Sequence, residues 1–230
     1  MVLMWMALGY VALAASPAEK AEQPLCDAGD LDACFRLAAA YQFGHGDTPI
    51  DLDKARTLLD AGCTAKHPPS CNDLGAMYGD GISVPKDEKR AAELYVQACE
   101  SMNAMSCGNL ARFHVAGVAV PQDVARAEAL FLKGCELGDG SSCNDVAGGY
   151  LGLRPGFPDK PKKGLELLTR ACETYEDGSG CANLGYVHAT GVGTSPDPER
   201  GFAYMQKACA LGNAQACKMV GGTPGQAGSR

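Results

Sequence analysis

No run of Lys or Arg in this 230-residue chain is longer than a pair, and the formal net charge is −7. Nucleic-acid binding needs a face that neutralises phosphates, so DNA and RNA are not expected partners. No two cysteines stand at the C-x₂₋₄-C spacing of a structural zinc site, and the four histidines are scattered. Zinc is therefore not expected, and nothing in the pattern calls for another cofactor. The apolar stretch MVLMWMALGYVALAA at residues 1–15 is too short for a comfortable membrane span. Its Ala12-Leu13-Ala14 pattern predicts a signal peptide cut near Ala14 or Ala15, although the n-region has no Lys or Arg. No stable membrane span is expected after cleavage. Residues 16–25 read as a polar linker and 221–230 as a Gly-rich disordered tail, leaving 26–220 as the folded domain.

What is abundant is cysteine. Twelve fall at 26, 34, 63, 71, 99, 107, 135, 143, 172, 181, 209 and 217. Within pairs the separations are 8, 8, 8, 8, 9 and 8, and the first member of each pair recurs after 37, 36, 36, 37 and 37 residues. That is an internal repeat, and an even count suits an oxidising compartment. With 46% hydrophobic residues, a sizeable core is available.

Two helical stripes recur in each repeat. Counting forward from the second cysteine, position +3 holds Leu37, Leu74, Leu110, Val146 and Leu184, and +4 holds Ala38, Gly75, Ala111, Ala147 and Gly185. Position +7 holds Tyr41, Tyr78, His114, Tyr150 and His188, completing an i, i+4 stripe that fits a helix, here helix A. Counting back from the next pair, −5 holds Leu58, Leu94, Leu130, Leu167 and Tyr204, and −8 holds Ala55, Ala91, Ala127, Gly164 and Gly201. This is helix B, with small residues where two helices approach. Asp51, Asp87, Asp123 and Asp197 at −12 are expected N-caps, with Asp159 the nearest substitute in the fourth repeat, where Lys160 stands. The A-to-B links contain Gly44, Gly81, Gly117 or Gly191 at +10, and Pro49, Pro85, Pro121 or Pro158 at −14. Ser70, Ser106 and Ser142 read as caps of helix A.

Two cysteines eight apart on one helix would lie about 12 Å apart, beyond the roughly 7 Å that a disulfide tolerates. The chain must therefore turn between them, as Asp27-Ala28-Gly29-Asp30 allows. The expected bridges are Cys26 with Cys34, Cys63 with Cys71, Cys99 with Cys107, Cys135 with Cys143, Cys172 with Cys181, and Cys209 with Cys217. Pairing across a whole helix B, such as Cys71 with Cys99, would join opposite ends of a helical hairpin. Free thiols would be the expectation inside a cell.

The pattern Cys71-Asn72-Asp73-Leu74-Gly75-Ala76-Met77-Tyr78, with Asp87 through Ala91 to Cys99, resembles the SLR (Sel-one-like repeat) family, relatives of tetratricopeptide repeats. The regular cysteine pair makes the chain most similar to the Hcp-like cysteine-rich members, from Cys26 to Cys217. The resemblance implies an all-α, α/α superhelical repeat solenoid of about five helix pairs plus a truncated C-terminal helix. It also implies an exported scaffold, secreted or periplasmic, that binds a protein, peptide or cell-envelope ligand. Some Hcp members are classed as penicillin-binding proteins or β-lactamases, so such a hydrolase is the alternative. A mitochondrial intermembrane-space assembly factor for cytochrome oxidase is similar too, but that compartment fits an export signal less well.

Catalytic motifs are sparse. Ser83-Val84-Pro85-Lys86 matches S-x-x-K, yet S-D-N and K-T-G are both missing, and Pro85 belongs to the repeat's own link. No catalytic residue is nominated. His114 and His188 occupy the aromatic +7 slot and read as packing residues; His45 and His67 fall in loops. Asp73, Asn109, Asp145 and Asn183 at +2 are part of the repeat pattern. Positions +5 and +6 vary between repeats, so if helix A lines the concave surface, Arg112, Phe113 and Tyr186 are its expected binding residues. The cationic segment from Arg154 to Lys163 reads as a solvated loop, with an anion contact as the sharper reading.

Overall fold

A computed structural model describes residues 15–45 and 47–223. The expected signal peptide over residues 1–15 and tail over 221–230 lie outside the described residues, apart from Ala15 and residues 221–223. Among the described residues the chain is all helix. In order the elements are α1 (Pro17–Asp27), α2 (Leu31–Phe43), α3 (Leu52–Thr64), α4 (Pro68–Asp80), α5 (Glu88–Glu100) and α6 (Ala104–Ala116). They continue as α7 (Val124–Glu136), α8 (Gly140–Tyr150), α9 (Pro161–Glu173), α10 (Gly178–Thr190), α11 (Pro198–Ala210) and α12 (Ala214–Val220). Even-numbered helices are A helices and odd-numbered ones from α3 are B helices. The chain divides into a unit of residues 1–65, holding α1 to α3, and a unit of 66–230, holding α4 to α12.

The expected B-helix caps form. Asp51, Asp87, Asp123 and Asp197 each accept the backbone N–H three residues on, at 2.8–3.0 Å. Lys160 is the N-cap of α9 and no side chain caps that helix, so Asp159 does not substitute; Pro161 at the first helical position needs no N–H partner. The A helices are not capped by the serines. Asp30, Asn103, Asp139, Asp177 and Asn213 do this instead, each accepting the backbone N–H three residues on, so that Ser106 and Ser142 supply the N–H that Asn103 and Asp139 accept and are not the caps. Gly44, Gly81, Gly117 and Gly191 close A helices in left-handed backbone, with φ from 67 to 81°.

Residues 16–25 are no linker. They belong to α1, which Ser16 opens with a reciprocal capping box to Glu19 and Pro17 enters at the first helical position. Polar composition hid this helix; its first-turn proline is compatible with a helix start. In the 1–65 unit the core is Leu37, Tyr41 and Ala55 with Leu58 against it.

In the 66–230 unit each A helix packs on the B helix that follows, and a continuous core runs along the stack. Leu74, Leu110, Val146 and Leu184 are all buried. The small residues set the spacing of the pairs. A Cβ added at Gly185 would sit 2.9 Å from the Gly201 carbonyl, and one at Gly201 2.8 Å from that of Gly185, so α10 and α11 meet backbone to backbone. Repeats of this kind touch mainly their neighbours, so local staples reinforce a core built from one neighbour contact after another.

The local disulfides supply those staples. Cys26–Cys34, Cys99–Cys107, Cys135–Cys143, Cys172–Cys181 and Cys209–Cys217 have Cα separations of 4.5–4.7 Å. Cys63 and Cys71 are disulfide-bonded as well, and no described cysteine is free. Six disulfides imply an oxidising environment.

Candidate binding face

In the 66–230 unit α6 packs on α8 and α8 on α10, so the polar positions +1 and +2 of successive A helices meet side by side. Asn72 on α4 accepts hydrogen bonds from the Ser106 hydroxyl at 2.8 Å and the Asn109 amide at 3.1 Å, both on α6. Asn109 in turn accepts from an Arg112 Nη at 2.9 Å. Arg112 Nε donates to one oxygen of Asp145 on α8 at 2.8 Å, and Arg154 donates to the other at 2.7 Å. Asn144 accepts from the Asn183 amide on α10 at 2.7 Å. A polar ladder thus crosses four A helices.

The ladder changes chemistry at α6 for a steric reason. Position +1 there is Gly108, where a Cβ would collide with the Ser142 hydroxyl and the Asp139 carboxylate. With no side chain at +1, the long Arg112 from +5 bridges to α8 instead. Asp145 is only 8% exposed, whereas Arg112 and Arg154 are 42% and 41% exposed, so the carboxylate is sheltered and the guanidinium edges face solvent. Burial holds the Asp73 carboxyl above its usual range, against the opposing Asn72 hydrogen bond. Burial does the same to Asp177, helped by Asp139 and Asp145 and opposed by the Gly180 N–H and Arg112.

The three nominated binding residues separate. Arg112 joins the ladder, and Tyr186 stands 44% exposed on α10. Phe113 instead turns its ring edge-on to Tyr95, 5.6 Å between centroids, and packs on the core. Its place at +6 points it toward the neighbouring helix B. Arg154 and Asp145 are the additions that sequence reading missed as site residues. In the sequence Asp145 reads as part of the repeat pattern and Arg154 as part of a solvated loop. That loop is anchored: Phe157 packs on the core near Phe131, and Lys160 pairs with Glu128 at 2.8 Å.

Lys160 completes a motif that occurs twice. Tyr150 donates to Glu128 at 2.5 Å with Lys160 4.7 Å over its ring, and Tyr41 donates to Glu19 at 2.5 Å with Lys54 4.7 Å over its ring. In both, burial and the carboxylate raise the phenol above its ordinary range. A second recurrent link joins B helices at their C-terminal ends: Lys133 donates to the Cys99 carbonyl at 2.8 Å and Arg170 to that of Cys135 at 3.3 Å. These cations complement the negative helix end.

The remaining sequence candidates are structural. Ser83 sits in left-handed backbone, φ 59°, in the α4–α5 link. Lys86 lies 2.6 Å from Glu88, whose hydrogen bond raises the ammonium pKa and holds it protonated, the opposite of what a general base requires. His188 is buried and stacked on Tyr204, 5.5 Å between centroids, and burial lowers its pKa. His114 meets the Pro121 carbonyl, 3.1 Å from Nδ1, and His67 precedes α4 with Nδ1 2.8 Å from Ser70 Oγ. Among the described residues no group of His, Cys, Asp or Glu is placed to hold a metal ion, and no helix is long and apolar enough to cross a membrane.

A profile of the Sel1 repeat matches five times, at residues 31–67, 68–101, 104–139, 141–173 and 178–213. The chain belongs to the Sel1 repeat family. Each match follows one A–B pair in the structure. A Sel1 repeat protein from Oxalobacter formigenes superposes with a TM-score of 0.74 at 21% identity, over 89% of this chain and 88% of that one. Cysteine-rich protein B of Helicobacter pylori is 27% identical over 55% of this chain and 90% of its own, with a TM-score of 0.46. Cytochrome c oxidase assembly factor 7A of Xenopus laevis is 32% identical over 66 residues. The matched stretch spans 29% of this Sel1 chain and 29% of that relative.

Proposed function

We propose that this Sel1 repeat protein is an exported, disulfide-stapled scaffold that binds an extended protein or peptide segment along the A helices of its 66–230 unit. The observation that carries this reading is the ladder from Asn72 to Asn183. It aligns amide and guanidinium groups in a row on four successive helices, with Asn72 and Asn144 buried as its base and the half-exposed guanidiniums already oriented by Asn109 and Asp145. Such groups hydrogen-bond a peptide main chain without paying for their own ordering first. Arg112 and Arg154 add exposed donors at the centre of the row, and Tyr186 adds an aromatic surface with a polar tip. Export is supported by the six disulfides together with the apolar residues 1–15, which fit secretion or a periplasm better than the mitochondrial intermembrane space.

The test is selection of peptides from a random displayed library on the oxidised protein, followed by affinity measurement. Arg112→Glu and Tyr186→Ala should each weaken a selected peptide at least tenfold, and Asn109→Ala should do so for any sequence selected. Selected peptides that bind these variants as tightly as the parent would remove the A-helix face as the site. Hydrolase activity finds no support in the placement of Ser83 and Lys86. Purified oxidised protein should turn over a chromogenic β-lactam no faster than a matched protein blank; turnover lost in Ser83→Ala would reinstate the enzyme.

A further inference from the structure

Where consecutive A helices touch, consecutive B helices in the 66–230 unit stand apart, and between α5 and α7 this leaves an open cavity of about 260 Å³. Its apolar lining comes from Val96 on α5, Leu110 beneath, and Ala129 and Leu130 on α7. Glu100, Arg126 and Lys133 are its charged groups. Lys133 is engaged by the Cys99 carbonyl, 2.8 Å away. Arg126 is different. Its backbone N–H is taken by Asp123, but its guanidinium has no hydrogen-bond or ion-pair partner among the described residues. Val96 remains 38% exposed beside it.

We propose that this cavity binds a small amphiphilic carboxylate, with the apolar body between α5 and α7 and the carboxylate on the Arg126 guanidinium. The size fits a single aliphatic chain, since the volume lies just below the roughly 300–1,000 Å³ of pockets for drug-sized ligands. The sign of the ligand follows from the charges: two cations face one carboxylate, and the unpaired one is a guanidinium, whose planar donor fork matches a carboxylate in two-point contact. The Lys133 contact ties α7 to the end of α5 and so keeps the gap open to a fixed width. The site shares no residue with the polar ladder, so it stands or falls independently of the peptide-binding reading.

Calorimetric or NMR titration of the full oxidised chain with octanoate, octanol and octylammonium tests it. Octanoate should bind saturably and at least tenfold tighter than either other probe, with shifts centred on Val96 and Leu130. Arg126→Gln should reduce octanoate to the level of octanol. Ala129→Phe, at an exposed helix position, should fill the cavity and abolish binding; Val96→Phe fills it from the facing helix should the first variant melt early. Equal affinity for octanoate and octanol, absence of saturation, or octanoate binding undiminished in a folded cavity-filled variant would each overturn the proposal.

Discussion

Arg112 and Asp145 are 33 residues apart in the chain and 2.8 Å apart in the fold, one half-exposed donor meeting one sheltered carboxylate across the α6–α8 contact. Arg154 holds the second oxygen of the same carboxylate. Removing Asp145 therefore takes the shared carboxylate from two guanidiniums, leaving Arg112 only its bond to Asn109, while removing either arginine leaves the carboxylate one partner. Asp145→Ala should cost about 1–3 kcal/mol in denaturant unfolding, and Arg112→Ala clearly less. Equal losses for the two would show that the carboxylate does not organise the pair.

Asp73 makes the same point in reverse. Burial raises its pKa in the folded state above the ordinary value of 3.8, so its stabilising contribution is complete below that value and is lost as pH rises through the folded pKa. Asp73→Asn, which installs the amide already present at Asn109 and Asn183, should melt higher than the parent at pH 7 and equal it near pH 3. A variant no more stable at pH 7 would contradict the assignment of burial as the dominant cause.

His188 should make the α10–α11 pair sensitive to acid. Its folded pKa is lowered, chiefly by burial and further by Arg200, so its contribution is present above the unfolded value of 6.5 and is lost as pH falls through the folded pKa. Hydrogen exchange should show this pair loosening as pH falls below the unfolded value of 6.5. His188→Tyr, the residue that fills the same slot as Tyr150, should flatten that dependence. Unchanged dependence in the variant would assign the sensitivity elsewhere.

Met102 occupies the left-handed position of its B-to-A turn, φ 65°, where other repeats place Gly29, Gly138 and Gly212. Side chains pay a steric cost there of about 1–2 kcal/mol. Met102→Gly should therefore stabilise the protein by up to about 1 kcal/mol, and Gly138→Ala should destabilise it by a similar amount. Thermal melts of the two variants check both signs.

The Cys209–Cys217 bridge should reduce first. It closes onto α12, a seven-residue helix whose buried residues are only Ala216 and Cys217, whereas Cys135–Cys143 closes onto α8, buried along its length from Ser142 to Tyr150. Alkylation under graded reductant, read by peptide mapping, should label Cys209 and Cys217 before Cys135 and Cys143. The reverse order would contradict the weaker packing of this end.

The repeat, its helices and its staples were legible in the amino-acid sequence because each depends on residues close together in the chain. Leu110 and His114 share a face by helical geometry alone, Asp87 caps the helix it precedes, and Cys99 and Cys107 flank a single turn. Helix α1 escaped notice because its residues lack the A-to-B punctuation that marks the other repeats, yet Ser16 and Glu19 already carried its capping box. The proposed binding face was legible only in part. Arg112 and Tyr186 stood out as departures from the repeat, but a one-dimensional pattern does not say which way position +6 turns, and Phe113 packs against Tyr95. Only the tertiary structure brings Asp145 and Arg154 to Arg112, since the bare Cα of Gly108 lets α8 approach α6 and the inserted loop folds back from beyond α8. Short-range geometry wrote the repeat into the sequence; the stacking of repeats, which depends on side chains more than thirty residues apart, decided which polar groups face one another.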